Sequence, residues 1–397
     1  SIQSILFACG YLQTFCDWHY YSVCYLQLFL LTMKFKLKIS FLFLLFTQFA
    51  CVDLYDPNLT SDTRRLVVEA TLTTALEYQM VYLTYDAGYN STENVFKNLV
   101  RRAKVKITDD KGNEYPFIDE IAPSNQIKTA EGYNYRSLQK FKAEVGRTYQ
   151  LHIETLEGKK YKSAPEKVIP APPIGKAYAE FQALFPPANF KGQFHIFVDT
   201  QDPADTPNFY KWDSYHVKQI NYCREWYIYG SGGSVTQSFV DKCCEPCFEK
   251  VVCEDCYELA NDRLINGQMI RKKQITSIPF DNTTPYYLVI RQHSLSPQAY
   301  QFWSSIKQQS KNSGGLFDAT PKSIRGNLYS ETDAKEEVLG NFTVSDVQEL
   351  VYIVDRNRTT PKPILVEEYS NFNKTTQCYP CEESYKRTKT FPTGWRF

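Results

Sequence analysis

A two-residue alternation of apolar and polar side chains recurs along the chain, and it restricts the fold more than any other feature of the sequence. Ala103, Val105 and Ile107 alternate with Lys and Thr, and Leu151 and Ile153 continue the same period. This period places apolar side chains on one face of a β-strand. Further strand-like runs lie at 66–72, 78–85, 193–199, 209–217 and 286–292. The sequence therefore predicts a mainly all-β protein.

Turn and linker signals divide the chain into segments. Turn-forming residues surround Gly112 and Gly158, which favours short antiparallel hairpins. The spacing of the first strands, with no helical pattern between them, predicts an immunoglobulin-like β-sandwich at 65–168. Three prolines within 169–176 disfavour strand pairing and indicate a Pro-rich linker. We expect a second β-rich domain at 177–397.

One helix is predicted in this second domain, near 296–311. Ser296 can cap its start, and Pro297 fits the first helical position. The apolar residues that share one helical face are Ala299, Phe302, Trp303 and Ile306. We interpret these aromatic side chains as core packing rather than as a cofactor site.

Composition excludes two classes of protein. The chain has 45 basic and 44 acidic side chains, so it lacks the positive surplus of a nucleic-acid binder. It is also 15% aromatic, which is inconsistent with disorder along most of its length.

The region around Met33 has the three parts of a bacterial export signal in order. Three lysines follow Met33, a short apolar run occupies 39–46, and Ala50 directly precedes Cys51. This pattern predicts a lipoprotein signal peptide at 33–50 and a diacylglycerol on Cys51, with further acylation of the new amino end. A plain secretory signal and an uncleaved anchor are the alternatives.

The segments on either side of this signal have separate interpretations. Residues 51–64 are expected to be a polar spacer after the lipidated Cys. Residues 1–32 contain no Met, and we interpret them as a non-native upstream extension. The alternative for them is a first membrane span.

Cysteine usage agrees with export. An even number of cysteines in an oxidising compartment predicts disulfides. The candidates, most of them in the Cys-rich segment 223–256, are Cys223, Cys243, Cys244, Cys247, Cys253, Cys256, Cys378 and Cys381. Two other interpretations stay open. Zinc could bind the two Cys-x2-Cys pairs formed by Cys244, Cys247, Cys253 and Cys256, or one pair could be a redox dithiol.

The sequence contains no recognisable catalytic motif. An activated nucleophile needs a base, and the histidines after Cys51 are His152, His195, His216 and His293. None lies in a metalloprotease pattern, and no Gly-x-Ser-x-Gly elbow is present. Of these four histidines, His293, which precedes the predicted helix, is the one candidate for contact with a ligand. We predict no enzyme activity, no cofactor and no metal, while a glycosidase-like carboxylate pair stays open.

Several stretches support a resemblance to a known family. Residues 51–57 contain the lipobox Cys followed by acidic residues and a proline, and 66–69 read Leu-Val-Val-Glu. The most specific stretch is 287–342, which includes Gly315-Leu316-Phe317-Asp318 and Val338-Leu339-Gly340-Asn341-Phe342. The Cys-x2-Cys pair at 378–381 also fits. On these stretches the chain resembles domain of unknown function family 4249, a group of Bacteroidota outer-membrane lipoproteins.

This resemblance implies a location and a partner. It implies a lipid-anchored protein of the outer membrane, at the cell surface or on the periplasmic face. Asp53 and Asp56, close to the anchor, are compatible with an acidic surface-export signal. The implied role is a binding or accessory subunit of a TonB-dependent outer-membrane β-barrel transporter, with no nucleic-acid partner. A structural or adhesive surface module and a hydrolase of cell-surface polymers are the alternatives.

Overall fold

The computed structural model describes thirteen stretches of the chain, and the structural statements below concern these alone. They are 64–86, 98–120, 134–183, 192–219, 226–229, 235–239, 246–253, 256–280, 285–311, 323–356, 381, 383–384 and 386–395. Residues 61–397 form one compact unit. Within the described stretches, no helix is both long enough and apolar enough to cross a bilayer.

The described chain is mostly β, as the alternation predicts. The strands up to the middle of the chain are β1 (Leu66–Thr73), β2 (Met80–Tyr85), β3 (Lys104–Asp109), β4 (Glu114–Asp119), β5 (Tyr135–Ser137), β6 (Thr148–Glu154), β7 (Lys160–Ser163), β8 (Glu166–Lys167), β9 (Ile174–Ala183) and β10 (Gly192–Gln201). The later strands are β11 (Phe209–Gln219), β12 (Trp226–Tyr229), β13 (Val235–Phe239), β14 (Phe248–Val252), β15 (Glu258–Asn261), β16 (Met269–Pro279), β17 (Tyr286–Ser294), β18 (Leu328–Ser330), β19 (Leu339–Ser345), β20 (Val347–Val354) and β21 (Arg387–Thr388). Helix α1 (Pro297–Lys311) follows β17.

The first sheet contains ten strands in the order β18-β7-β6-β3-β4-β5-β2-β1-β19, with β8 paired to β6. Its two end strands approach each other, because Asn327 Nδ2 donates to the Phe342 carbonyl at 2.8 Å and Phe342 N–H donates to Asn327 Oδ1 at 2.9 Å. The sheet is therefore nearly closed on itself. Alternate side chains of β1, including Leu66, Val68 and Leu72, are fully buried in its core.

The close pairing of β1 with β19 depends on glycine. The two strands are parallel, with Val68 opposite Gly340. Gly340 has a φ of +91°, and a Cβ at this position would lie 1.8 Å from the Val68 carbonyl oxygen. Any other residue would be strained in this conformation and would push the strands apart.

The remaining strands form a second layered unit. A six-stranded sheet has the order β20-β17-β11-β14-β21, with β15 also on β11, and a three-stranded sheet has the order β16-β10-β9. Residues of both sheets share one core, which includes Ile196, Trp212, Ile278 and Ile290. β12 and β13 form a separate hairpin.

Helix α1 begins as the sequence predicts. Ser296 Oγ accepts a hydrogen bond from Ala299 N–H at 3.1 Å, which satisfies one of the free donors of the first turn. Ala299 packs with Phe209 and Leu295 in a small core beside β11. After α1 the chain returns to the first sheet, where β18 and β19 are the two end strands. The predicted domain boundary at 169–176 stays a prediction.

Candidate functional site

A cavity of about 1250 Å³ lies between the ten-stranded sheet and the six-stranded sheet. One wall consists of residues of β1 and β2 whose side chains point away from the first core, among them Val67, Thr71 and Tyr82. The opposite wall consists of residues of β11, β14, β17 and α1. The alternation of β1 thus serves two purposes, because one set of side chains fills a core and the other lines the cavity.

Four charged or polar residues of two neighbouring strands face this cavity together. In the antiparallel register of β11 and β17, Lys211 is opposite His293 and Asp213 is opposite Arg291. Residues two apart on a strand share a face, so all four side chains lie on one side of the sheet, and all four line the cavity. We call these residues the charged square.

Arg291 connects the charged square to the first sheet. Its Nη2 lies 2.7 Å from Glu77 Oε1, in the loop after β1, and its Nε lies 3.3 Å from Glu349. Lys250 Nζ lies 3.9 Å from the other Glu77 oxygen. Burial raises the pKa of Glu77, but the attraction of Arg291 and Lys250 outweighs it and holds the pKa below its usual value. Glu77 is therefore ionised and ties the two sheets together.

His293 and Asp213 form the other half of the charged square. His293 Nε2 lies 3.1 Å from Asp213 Oδ2 without an aligned hydrogen bond, and Nδ1 lies 3.0 Å from Ser345 Oγ. Burial lowers the pKa of His293, and Asp213 offsets only part of this, so the imidazole is neutral at pH 7. Burial raises the pKa of Asp213, yet His293 and Lys211 hold it well below its usual range. At neutral pH, where the imidazole carries no charge, Lys211, at 3.3 Å, and Arg291 are the cations that keep Asp213 ionised.

Ser345, His293 and Asp213 stand in the order of a hydrolytic triad, but the geometry argues against that use. A nucleophilic hydroxyl has to reach the substrate. Ser345 is 0% exposed and does not line the cavity. These three residues therefore join β19, β17 and β11, and they give no support to the hydrolase alternative.

Aromatic side chains complete the wall beside Lys211. The Lys211 ammonium lies 4.5 Å from the centre of the Trp303 ring and 5.4 Å from that of Tyr257. Trp303 Nε1 donates to Thr343 Oγ1 at 3.1 Å, which fixes the indole between α1 and β19. A lysine ammonium beside an aromatic face is attracted by the ring quadrupole, so these two rings hold Lys211 in place on the cavity wall.

The other predicted histidines do not line the cavity. His152 contacts Thr108 at 2.9 Å, and His195 contacts Ser277 at 2.9 Å. His216 stacks on Tyr286, with the ring centres 3.8 Å apart. Of the four, only His293 reaches the cavity.

Four of the predicted cysteines are paired in two disulfides, Cys247–Cys381 and Cys253–Cys256. Cysteines held in disulfides offer no thiolate to zinc, and the described residues contain no group of three or more metal-binding side chains. The remaining candidates, Cys51, Cys223, Cys243, Cys244 and Cys378, lie outside the described residues, and their roles stay predictions.

The two disulfides restrain the chain to different extents. Cys247–Cys381 joins positions 134 residues apart, which corresponds to about 5 kcal/mol of loop-closure entropy in the unfolded chain. Cys253–Cys256 joins positions only 3 apart, which corresponds to about 2 kcal/mol in the same treatment.

Most of the charged residues that line the cavity have no motif that identifies them in the sequence, and these are Glu77, Lys211, Asp213 and Arg291. A signal was present, because Lys211 and Asp213 stand two apart in an aromatic strand, as do Arg291 and His293. Charges at alternate positions of otherwise buried strands indicate a polar face, but only the register shows that the two pairs are neighbours.

One comparison with known proteins decides the family. The family described as domain of unknown function (DUF4249) matches residues 52–350. The chain belongs to this family. The match covers β1 to β19 and every residue of the charged square. No curated protein matches the chain.

Proposed function

We propose that this DUF4249 protein is a lipid-anchored accessory subunit of an outer-membrane transporter, and that the mouth of the cavity is its contact surface. The cavity between the two sheets is the observation that carries the proposal. Leu76 and Phe391, which line it, are 68% and 58% exposed. These two side chains offer a partner an apolar contact beside the charged residues of the cavity, and we place the contact surface there for this reason.

Sequence features support the anchored part of the proposal. The lipobox at Cys51 attaches the chain to the membrane, on the extracytoplasmic side where disulfides persist. The disulfides Cys247–Cys381 and Cys253–Cys256 fit that compartment. We propose in addition that residues 65–168 form an immunoglobulin-like unit. Its strands, β1 to β8, all belong to the nearly closed first sheet.

The anchor is tested by Cys51→Ser in the native host. We expect the protein to move from the membrane fraction to the soluble fraction, because the thiol that takes the lipid is gone. Cys253→Ser is the matched control, since it removes an exposed cysteine of the mature chain and is expected to leave membrane retention unchanged. Retention of the Cys51→Ser protein would refute lipidation at this residue.

The partner is tested by affinity purification from gently solubilised membranes, followed by mass spectrometry. We expect a large outer-membrane transporter in the eluate. Lys140→Glu reverses an exposed charge that lines the cavity, whereas the control Lys111→Glu does so in an exposed turn outside it. The transporter should be lost with Lys140→Glu and kept with Lys111→Glu. A wild-type protein that elutes alone would favour the adhesive module instead.

A further inference from the structure

The two disulfides of the described chain differ in their exposure to solvent. Cys247 and Cys381 are each 6% exposed and pack against one another in a buried cluster. Cys253 is exposed and lines the cavity, and Cys256 is half-buried. Thiol–disulfide exchange needs direct approach of a thiolate to a sulfur atom. Of these two bonds, only Cys253–Cys256 is open to such an attack.

The position of Cys253–Cys256 also argues against a purely structural role. The bond joins Cys253, which follows β14, to Cys256, which precedes β15, and both strands pair with β11. Sheet hydrogen bonds already hold the strands in place, and a cross-link over 3 positions restrains the unfolded chain weakly. The folded chain is therefore expected to tolerate both the oxidised and the reduced state.

Two lysines lie beside Tyr257, the residue after Cys256. Lys307 Nζ donates to the Tyr257 carbonyl oxygen at 2.9 Å. The Lys211 ammonium lies 5.4 Å from the centre of the Tyr257 ring. Nearby cations stabilise a thiolate. Glu258, 2.7 Å from Lys307, and Asp213, 3.3 Å from Lys211, compensate much of this charge, so it is the exposure of the bond rather than local charge that makes Cys253–Cys256 open to exchange.

We propose that Cys253–Cys256 is a redox-active disulfide that exchanges with small thiols at the cavity. A thiolate from the solution attacks Sγ of Cys253, the bond to Cys256 breaks, and Cys256 leaves as the thiolate. A second small thiol then attacks the small-thiol sulfur of this mixed disulfide, and Cys253 leaves as a thiolate. Two small thiols are oxidised to one disulfide, their two protons pass to the protein sulfurs, and the protein bond is reduced to two thiols. This reaction does not depend on the transporter proposal.

The proposal is tested on the folded, oxidised protein with reduced glutathione as the probe. Thiols formed at increasing glutathione concentrations are trapped with a maleimide and located by peptide mass spectrometry. We expect label on Cys253 and Cys256 at least about tenfold sooner than on Cys247 and Cys381, because only the first pair is accessible. Simultaneous labelling of both pairs, or labelling only after urea is added, would overturn the proposal.

Single variants identify the attacked sulfur. Cys256→Ser leaves the Cys253 thiol free at the cavity, and Cys253→Ser leaves the half-buried Cys256 thiol. With the aromatic disulfide dithionitrobenzoate as the probe, we expect the Cys253 thiol to react faster. Equal rates, or a faster Cys256 thiol, would contradict the assigned direction of attack. If either variant fails to fold, the glutathione experiment on the wild-type protein still decides the proposal.

Discussion

Gln292 is expected to be among the most sensitive polar positions in the protein. Its side chain is 0% exposed and forms three hydrogen bonds with three different segments. Oε1 accepts from Thr200 Oγ1 at 2.7 Å and from Trp212 Nε1 at 2.9 Å. Nε2 donates to the Pro172 carbonyl oxygen at 2.6 Å. The amide of Gln292, in β17, thus contacts β10, β11 and the Pro-rich linker at 169–176.

Gln292→Leu keeps the approximate volume of the side chain but leaves three buried polar groups without their partner. Each buried group without a partner costs roughly 1–3 kcal/mol, so three of them correspond to about 3–9 kcal/mol, and we expect the free energy of unfolding to fall by at least about 3 kcal/mol. The measurement is urea unfolding followed by tryptophan fluorescence, to which Trp212 contributes from the centre of the network.

Gln308→Leu is the matched control, because Gln308 is exposed on α1. Its effect should stay within about 0.5 kcal/mol. If Gln292→Leu lowers the free energy of unfolding no more than this control does, the network carries little net energy and the reasoning fails.

Three further predictions concern charge and cross-linking. Glu77→Gln leaves the Arg291 guanidinium without its closest carboxylate and should lower the free energy of unfolding by about 3 kcal/mol, measured by urea titration. Burial raises the pKa of Asp109, but hydrogen bonds, first from Asn113, lower it to about 2. Asp109 should therefore stabilise the fold at pH values above 3.8, its ordinary pKa, and this contribution should be lost as the pH falls to about 2. The acid unfolding of Asp109→Asn should lack this pH dependence. Replacing both Cys247 and Cys381 by Ser should cost about 5 kcal/mol in the same urea assay, and an unchanged midpoint would contradict the entropic argument.

The local structure was predictable where it depends on neighbouring residues. The alternation at 103–107 predicts β3, and the turns at Gly112 and Gly158 adopt the positive φ values that such glycines allow, +84° and +82°. Ser296 and Pro297 predict the start of α1. These features are encoded within a few residues of one another, so a single sequence is sufficient to identify them.

The cavity could not be predicted, because it depends on pairings between distant segments. Nothing near Glu77 indicates Arg291, which is more than two hundred residues away in sequence. The parallel pairing of β1 with β19 is equally remote, although Gly340 at their contact is part of the stretch that resembles the family. The register between strands decides which charged residues become neighbours. The alternation of residues within a single strand carries no information about that register.

The parallel pairing of β1 with β19 also constrains how the protein can assemble. Strand β1 leaves the ribosome early in synthesis, whereas its partner residues 339–345 follow only after most of the chain has been made. Until then one edge of β1 lacks its partner and can recruit other strands. Efficient folding should therefore benefit from a chaperone that covers this edge, and a chain truncated before residue 339 should aggregate even though most of the first sheet is present.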